Sequence, residues 1–176
     1  MSRQPHSDVR IAAIELQDSS RIESFSDVSP ETLRALGLIS LVDQKLVDGH
    51  GSHRTLNLNR VSERIDEIDQ WGELLVAQLP DRRNVIVGAM QASFNQQKSH
   101  YEIDFLAVDE SRRKQGVGTA LIDEAERHAS ARSLKMLSLL ALGESVPFYD
   151  RLGFEITPHS YNGYFTPMVR AIKSTQ

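Results

Sequence analysis

Residues 101–118 read Y-E-I-D-F-L-A-V-D-E-S-R-R-K-Q-G-V-G, an alternating apolar run that turns through a basic, glycine-bearing stretch into the start of an amphipathic helical pattern. A strand that passes through glycines into a helix leaves the first helical N–H groups unpaired and aims the positive end of the helix dipole at the turn. That combination is a phosphate site. The glycine spacing then narrows the ligand. A dinucleotide fingerprint needs a third small residue three positions after Gly118, where Leu121 stands, and no acidic residue closes a following strand at the expected distance. A Walker-type loop needs Gly-Lys-Ser/Thr, a string found nowhere in the 176 residues. The junction therefore predicts a phosphorylated ligand held neither as a Rossmann dinucleotide nor as a hydrolysed nucleotide.

At 176 residues, with 40% hydrophobic and 25% charged residues, the chain has material for one core. A single domain over 1–176 is expected, with 1–8 and 173–176 flexible. Zero cysteines exclude disulfides, thiolate zinc sites and any acyl-cysteine intermediate, and the G-x-S-x-G elbow of serine hydrolases is missing too. No run approaches the ~18 consecutive apolar residues of a membrane span, and the start M-S-R-Q-P-H-S-D lacks the apolar segment of a secretion signal. A cytoplasmic protein without a membrane partner is expected. The net charge of −4 and the lack of a basic stripe with interleaved aromatics argue against nucleic acid and mildly favour a cationic partner.

Periodicity orders the elements. Val9 to Leu16 reads as a first strand. Ser29-Pro30-Glu31 opens a helix running to about Leu46, and Asn59-Arg60-Val61 opens a second with Val61, Ile65 and Ile68 on one face. This helix pair is expected to form a small lid or wall. Three strand-like runs follow, Glu73 to Leu79, Val85 to Phe94 and Tyr101 to Val108, with short polar connections that suit an antiparallel meander. Val117, Leu121, Ala125 and Ala129 put an apolar stripe on the helix after the glycine turn. Met136 to Leu142 is nearly continuously apolar, which predicts a central strand buried on both faces. A short helix over Pro147 to Leu152 stops at Gly153, before strands at Phe154 to Thr157 and Tyr164 to Ile172. The fold class is α/β.

Arg113, Gly116 and Gly118 resemble the Arg/Gln-x-x-Gly-x-Gly/Ala pyrophosphate loop of the GNAT (GCN5-related N-acetyltransferase) acyltransferases. The resemblance continues upstream in E-I-D-F-L-A-V (Glu102 to Val108) and downstream in P-F-Y-D-R-L-G-F (Pro147 to Phe154). It implies a central mixed, mostly antiparallel sheet of six to seven strands flanked by about four helices, splayed between the fourth and fifth strands. It also implies acetyl-CoA as co-substrate, with no metal. The diphosphate would lie against the N–H groups of Lys114, Gln115, Gly116, Val117, Gly118 and Thr119, with charge from Arg112, Arg113 and Lys114. The pantetheine would pair as an added strand with backbone groups of the segment Leu106, Ala107, Val108. One departure stands out: where many members place an asparagine at the end of the fifth strand, this chain reads A-L-G-E-S, with Leu142 or Glu144 nearest that place.

The same resemblance assigns the chemistry. Glu102 occupies the position of a general base, Asp104 shares its strand face by the period of two, and Tyr149 is the general acid toward the leaving thiolate. The implied activity is direct transfer of acetyl to a primary amine in a ternary complex. The alternative is a silent acyl-CoA-binding sensor of the same fold. A small amine, a peptide N-terminus, a lysine side chain and an aminoglycoside are all open as acceptors, and both monomer and homodimer are compatible. The His50-x-x-His53 pair lacks a third ligand and reads as loop, His128 as a surface or capping residue, and Trp71 and Tyr161 as core aromatics, with the lining of an acceptor pocket as the alternative.

Overall fold

The computed structural model describes residues 9–16, 18–48, 57–158 and 165–172. The termini 1–8 and 173–176, the histidines His50 and His53, and Tyr161 lie outside the described residues. Strands β1 (Arg10–Ile14), β2 (Gly72–Leu79), β3 (Arg82–Asn95), β4 (His100–Val108), β5 (Met136–Leu142), β6 (Glu155–Ile156) and β7 (Phe165–Ala171) form one sheet in the order β1-β2-β3-β4-β5-β7-β6. The helices are α1 (Pro30–Asp48), α2 (Leu58–Trp71), α3 (Val117–Ala131) and α4 (Val146–Arg151). None of them is long and apolar enough to cross a membrane.

Pairing follows from the connections. β1 lies antiparallel to β2, from Arg10↔Gln78 to Ile14↔Leu74. Only Pro80 and Asp81 separate β2 from its neighbour β3, a connection short enough for an antiparallel hairpin alone. β4 and β5 are parallel, as a crossover through α3 requires, and β5 and β6 each pair antiparallel with β7. The β4–β5 ladder covers His100↔Met136 to Ile103↔Leu139 and ends there, although β4 runs on to Val108 and β5 to Leu142. The sheet is thus mixed and mostly antiparallel, as expected.

Contacts divide the chain into two compact units, one of residues 1–92 with 105–121, the other of 93–104 with 122–176. In the first, α1 and α2 close over the strands. Leu36 and Ile39 of α1 and Val61, Ile65 and Ile68 of α2 are buried in one cluster with Leu74, Val76, Ile86, Ala89 and Ala107. The pair is a wall of this core, not a lid. Local chemistry starts α1 where the sequence predicts and α2 slightly earlier, at an Asn57 cap ahead of the expected Asn59. The Ser29 hydroxyl accepts the Thr32 N–H at 3.1 Å ahead of Pro30, and the Asn57 side chain accepts the Arg60 N–H at 2.9 Å. Trp71 departs from expectation: it is 61% exposed. As the last residue of α2 it sits roughly 90° around the helix from the Val61–Ile65–Ile68 stripe, so the packing of that stripe does not cover it.

In the second unit, β5 corrects the expected two-sided burial. Leu137, Leu139 and Ala141 are buried, but the alternate positions are not, and Leu140 is 57% exposed. The apolar run therefore supplies a core on one face and leaves apolar side chains on the other.

Candidate active site

The glycine turn is built from its anchors. Asp109, directly after β4, donates its N–H to the Val87 carbonyl at 2.8 Å. Its carboxylate accepts the Ser111 hydroxyl at 2.7 Å and the Ser111 N–H at 3.1 Å, and Arg34 of α1 meets it at 2.6 Å. The bonds from Ser111, followed by the Arg34 charge, hold the Asp109 carboxyl below its usual range. A 3-10 turn over Glu110–Arg112 follows, and the chain then enters the left-handed region at Lys114 (φ 61°) and Gly116 (φ 84°). Left-handed residues set among ordinary ones are how successive N–H groups come to face one concavity. α3 opens at Val117, and the Ala120 N–H makes the first bond into it, to the Gly116 carbonyl at 2.9 Å. The N–H groups of Val117, Gly118 and Thr119 precede that bond and have no backbone acceptor among the described residues.

Side chains around the turn divide into braces and free surface. Gln115 Nε2 donates to the Ser111 carbonyl at 3.0 Å, and Arg113 Nε donates to the Val108 carbonyl at 3.4 Å. Arg113 also lies 3.8 Å from Glu110. Lys114 is exposed and Arg112 half-buried. Val117 points into the core. There it meets Gly88 of β3, where an added Cβ would sit 2.9 Å from Val117 Cγ1, 3.2 Å from Leu121 Cδ1 and 3.3 Å from the Ala107 carbonyl oxygen. Gly88 is therefore what lets the first turn of α3 approach β3 closely. On β4, Ala107 joins the core while Leu106 and Val108 are half-buried. Being two apart, these last two present their backbone groups to the same strand edge.

Tyr149 lies in α4, 8% exposed, its ring edge-on to Phe148 (centroids 5.0 Å) and to Phe154 (5.6 Å). Burial pushes its phenol up to about 12. The Tyr149 carbonyl accepts the N–H groups of Leu152 (2.9 Å) and Phe154 (3.1 Å), and Gly153 turns the chain at φ 81°. On β4, Tyr101 and Ile103 are buried while Glu102 is half-buried and Asp104 exposed, so the two carboxylates share a face as the strand period predicts. Asn95 Nδ2 donates to Glu102 at 3.3 Å, and the Ser93 hydroxyl donates to Asp104 at 3.2 Å.

His128 Nε2 lies 3.2 Å from the Glu124 carboxylate in the last turns of α3. Glu124 also holds Arg127, whose hydrogen bonds lower its carboxyl. The histidine thus belongs to a structural cluster. Sequence reasoning overlooked Asp109, Arg34 and the packing role of Gly88. The D-E-S string was a readable Asx-turn signal for Asp109, but nothing local pairs it with Arg34, 75 residues away.

A fourth strand that passes through a left-handed glycine into a helix and on to a parallel fifth strand, with a ladder that stops short, defines an acyltransferase-type fold. The sequence profile of the Acetyltransferase (GNAT) family matches residues 47–154. The chain belongs to that family. A 58-residue stretch, 33% of this chain, is 38% identical to GCN5-related N-acetyltransferase 2, chloroplastic, of Arabidopsis thaliana, and spans 22% of that relative's length. Among solved structures, Ard1 from Thermoplasma volcanium superposes with a TM-score of 0.64 at 19% identity, over 94% of this chain and 99% of that one. Tetrahymena GCN5 gives 0.64 at 16% identity over 96% and 98%. An aminoglycoside 6'-N-acetyltransferase complexed with coenzyme A gives 0.60 at 18% over 82% and 93%. At these identities the likeness is one of fold.

Proposed function

We propose that this protein moves an acetyl group from acetyl-CoA directly to a primary amine, with both substrates bound at once. The observation that carries this reading is the mouth of α3, where the N–H groups of Val117, Gly118 and Thr119 stand ahead of the first helical bond beside a left-handed Gly116. A diphosphate suits that arrangement, because several fixed donors and a positive dipole end meet it without further reorganisation. The coenzyme A in the aminoglycoside acetyltransferase of the same fold lends support. Arg112, Arg113 and Lys114 supply compensating charge, Gln115 braces the turn, and the backbone of Leu106 to Val108 takes the pantetheine as an added strand.

The thioester supplies an activated acetyl group, and the acceptor has to supply a lone pair. At pH 7 an alkylammonium with a pKa near 10.4 is only about one part in 10³ neutral, so a proton acceptor is needed. Glu102 fills that role, oriented by the Asn95 amide, and Asp104 adds negative potential on the same face. As the amine nitrogen bonds the acetyl carbon, the C–S bond breaks, sulfur leaves with the bonding pair and takes a proton from solvent, and the nitrogen passes its surplus protons through Glu102 to solvent. The products are an amide and free CoA thiol. Tyr149, held protonated up to about 12, donates a hydrogen bond to the developing thiolate. Full transfer to a thiolate whose conjugate acid lies near 8.5 would be uphill by about 5 kcal/mol, so donation without complete loss of the proton is the favoured form of acid assistance.

Thiol release from acetyl-CoA against alkylamines, peptide N-termini, lysine peptides and aminoglycosides tests the activity. Release with at least one class is expected. Gly118→Asp tests the site: an acid in the first turn suits the helix but repels a diphosphate, so acetyl-CoA affinity should fall at least tenfold with the melting temperature kept. Binding without release in any class would mark a sensor, and unchanged affinity in Gly118→Asp would remove the α3 mouth from the reading.

A further inference from the structure

β5 carries apolar side chains on both faces, but among the described residues only one of its faces is fully buried. Opposite the buried Leu137, Leu139 and Ala141, Leu140 is 57% exposed and Leu142 is half-buried. The register extends this face across β7. Directly paired residues project to the same side, so Phe165 (opposite Leu142), Pro167 (opposite Leu140) and Val169 (opposite Ser138) join it, all of them half-buried. On the other flank Glu102 pairs with Ser138 in the parallel ladder and projects to the same side, its carboxylate met by the neutral Asn95 amide. An apolar strip thus begins beside a carboxylate. From the strand rise and spacing, Glu102 and Leu140 stand about 8 Å apart along the sheet.

A carboxylate attracts an ammonium, and an apolar strip about 8 Å away accepts the carbon skeleton behind it. We infer that the acceptor is an amine with an aliphatic or aromatic substituent of about four to eight carbons, its nitrogen at Glu102 and its substituent on the face around Leu140, Pro167 and Val169. This rests on the amine acetyltransferase reading and selects among its acceptors. A polyhydroxylated or polycationic amine would bring polar groups onto the strip and lose their hydration, so it is the poorer fit.

The experiment measures kcat/KM for thiol release along ethylamine, butylamine, hexylamine and phenethylamine, with ethanolamine and an aminoglycoside as polar controls. About a threefold rise per methylene is expected, with phenethylamine well above ethanolamine. Leu140→Ser, a change at an exposed position that should leave the thermal melt in place, should lower kcat/KM for hexylamine at least fivefold more than for ethylamine. A flat series, or a preference for the polar amines, overturns the inference while leaving acyl transfer standing. Release with no amine at all, despite acetyl-CoA binding, overturns the underlying reading as well. Should Leu140→Ser instead turn a dimer into a monomer in sedimentation with the chain-length series unchanged, a second copy covers this face and the inference fails.

Discussion

Packed edge-on between Phe148 and Phe154, Tyr149 keeps its proton far beyond neutral pH, because an ionised phenol there would lose its water without gaining a cation. Tyr149→Phe preserves the ring packing and removes only the donor. It should lower turnover at least tenfold with acetyl-CoA affinity nearly unchanged, measured as kcat against a calorimetric Kd. Burial also predicts an alkaline effect. The folded pKa lies above the ordinary 10.0, so the unfolded chain releases this proton first. The stability present below pH 10 is then lost as pH rises toward about 12, by up to about 3 kcal/mol. Denaturant melts at pH 9 and near pH 11.5 should show this loss in the parent and a smaller one in Tyr149→Phe. The sequence pointed to Tyr149 through P-F-Y-D-R-L-G-F, but its aromatic surroundings gave no measure of burial. Glu102 and Asp104 were legible as a same-face pair, since that follows from the strand period alone.

Among the elements, α3 shows how one position on a distant strand sets a binding geometry. Gly88 has no Cβ, and one placed there would stand 2.9 Å from the stiff Val117 side chain and 3.3 Å from the Ala107 carbonyl oxygen. Gly88→Ala must therefore push the first turn of α3 off β3. A stability loss of about 1–3 kcal/mol is expected, together with an acetyl-CoA Kd raised severalfold, the two separable by thermal melts and calorimetry. The helices and strands themselves were readable, because periods of 3.6 and 2 are local. The buried face of α2 follows from Val61, Ile65 and Ile68, although the helix starts at the Asn57 cap, two residues ahead of Asn59, where the sequence pattern opened it. The core reading of Trp71 and the two-sided burial of β5 failed because hydrophobicity shows what a side chain favours, whereas exposure depends on which elements arrive to cover it.

For the molecule as a whole, cohesion rests on a few long-range polar ties as well as on the cores. Within the second unit, Arg170 of β7 reaches Glu126 of α3 at 2.9 Å and the Leu152 carbonyl beyond α4 at 2.8 Å, with its guanidinium 5.1 Å from the centre of the Phe154 ring. Its side chain is only 14% exposed, and its buried Nε has no hydrogen-bond partner among the described residues. Arg170→Met leaves the Leu152 carbonyl and the Glu126 carboxylate to find other partners, so a loss of about 2–4 kcal/mol in denaturant melts is expected. Arg170→Lys keeps the charge but not the two-armed geometry and should recover only part of it.

The sequence alone determined the order of the elements, the turn chemistry at Gly116 and Gly153, and the family, because each is written in residues close along the chain. Only the tertiary structure decided that Arg34 anchors Asp109, that Gly88 seats α3, and that β5 leaves Leu140 exposed on its second face. Those outcomes depend on which distant segments meet, and a local pattern of side chains carries no record of its eventual neighbours.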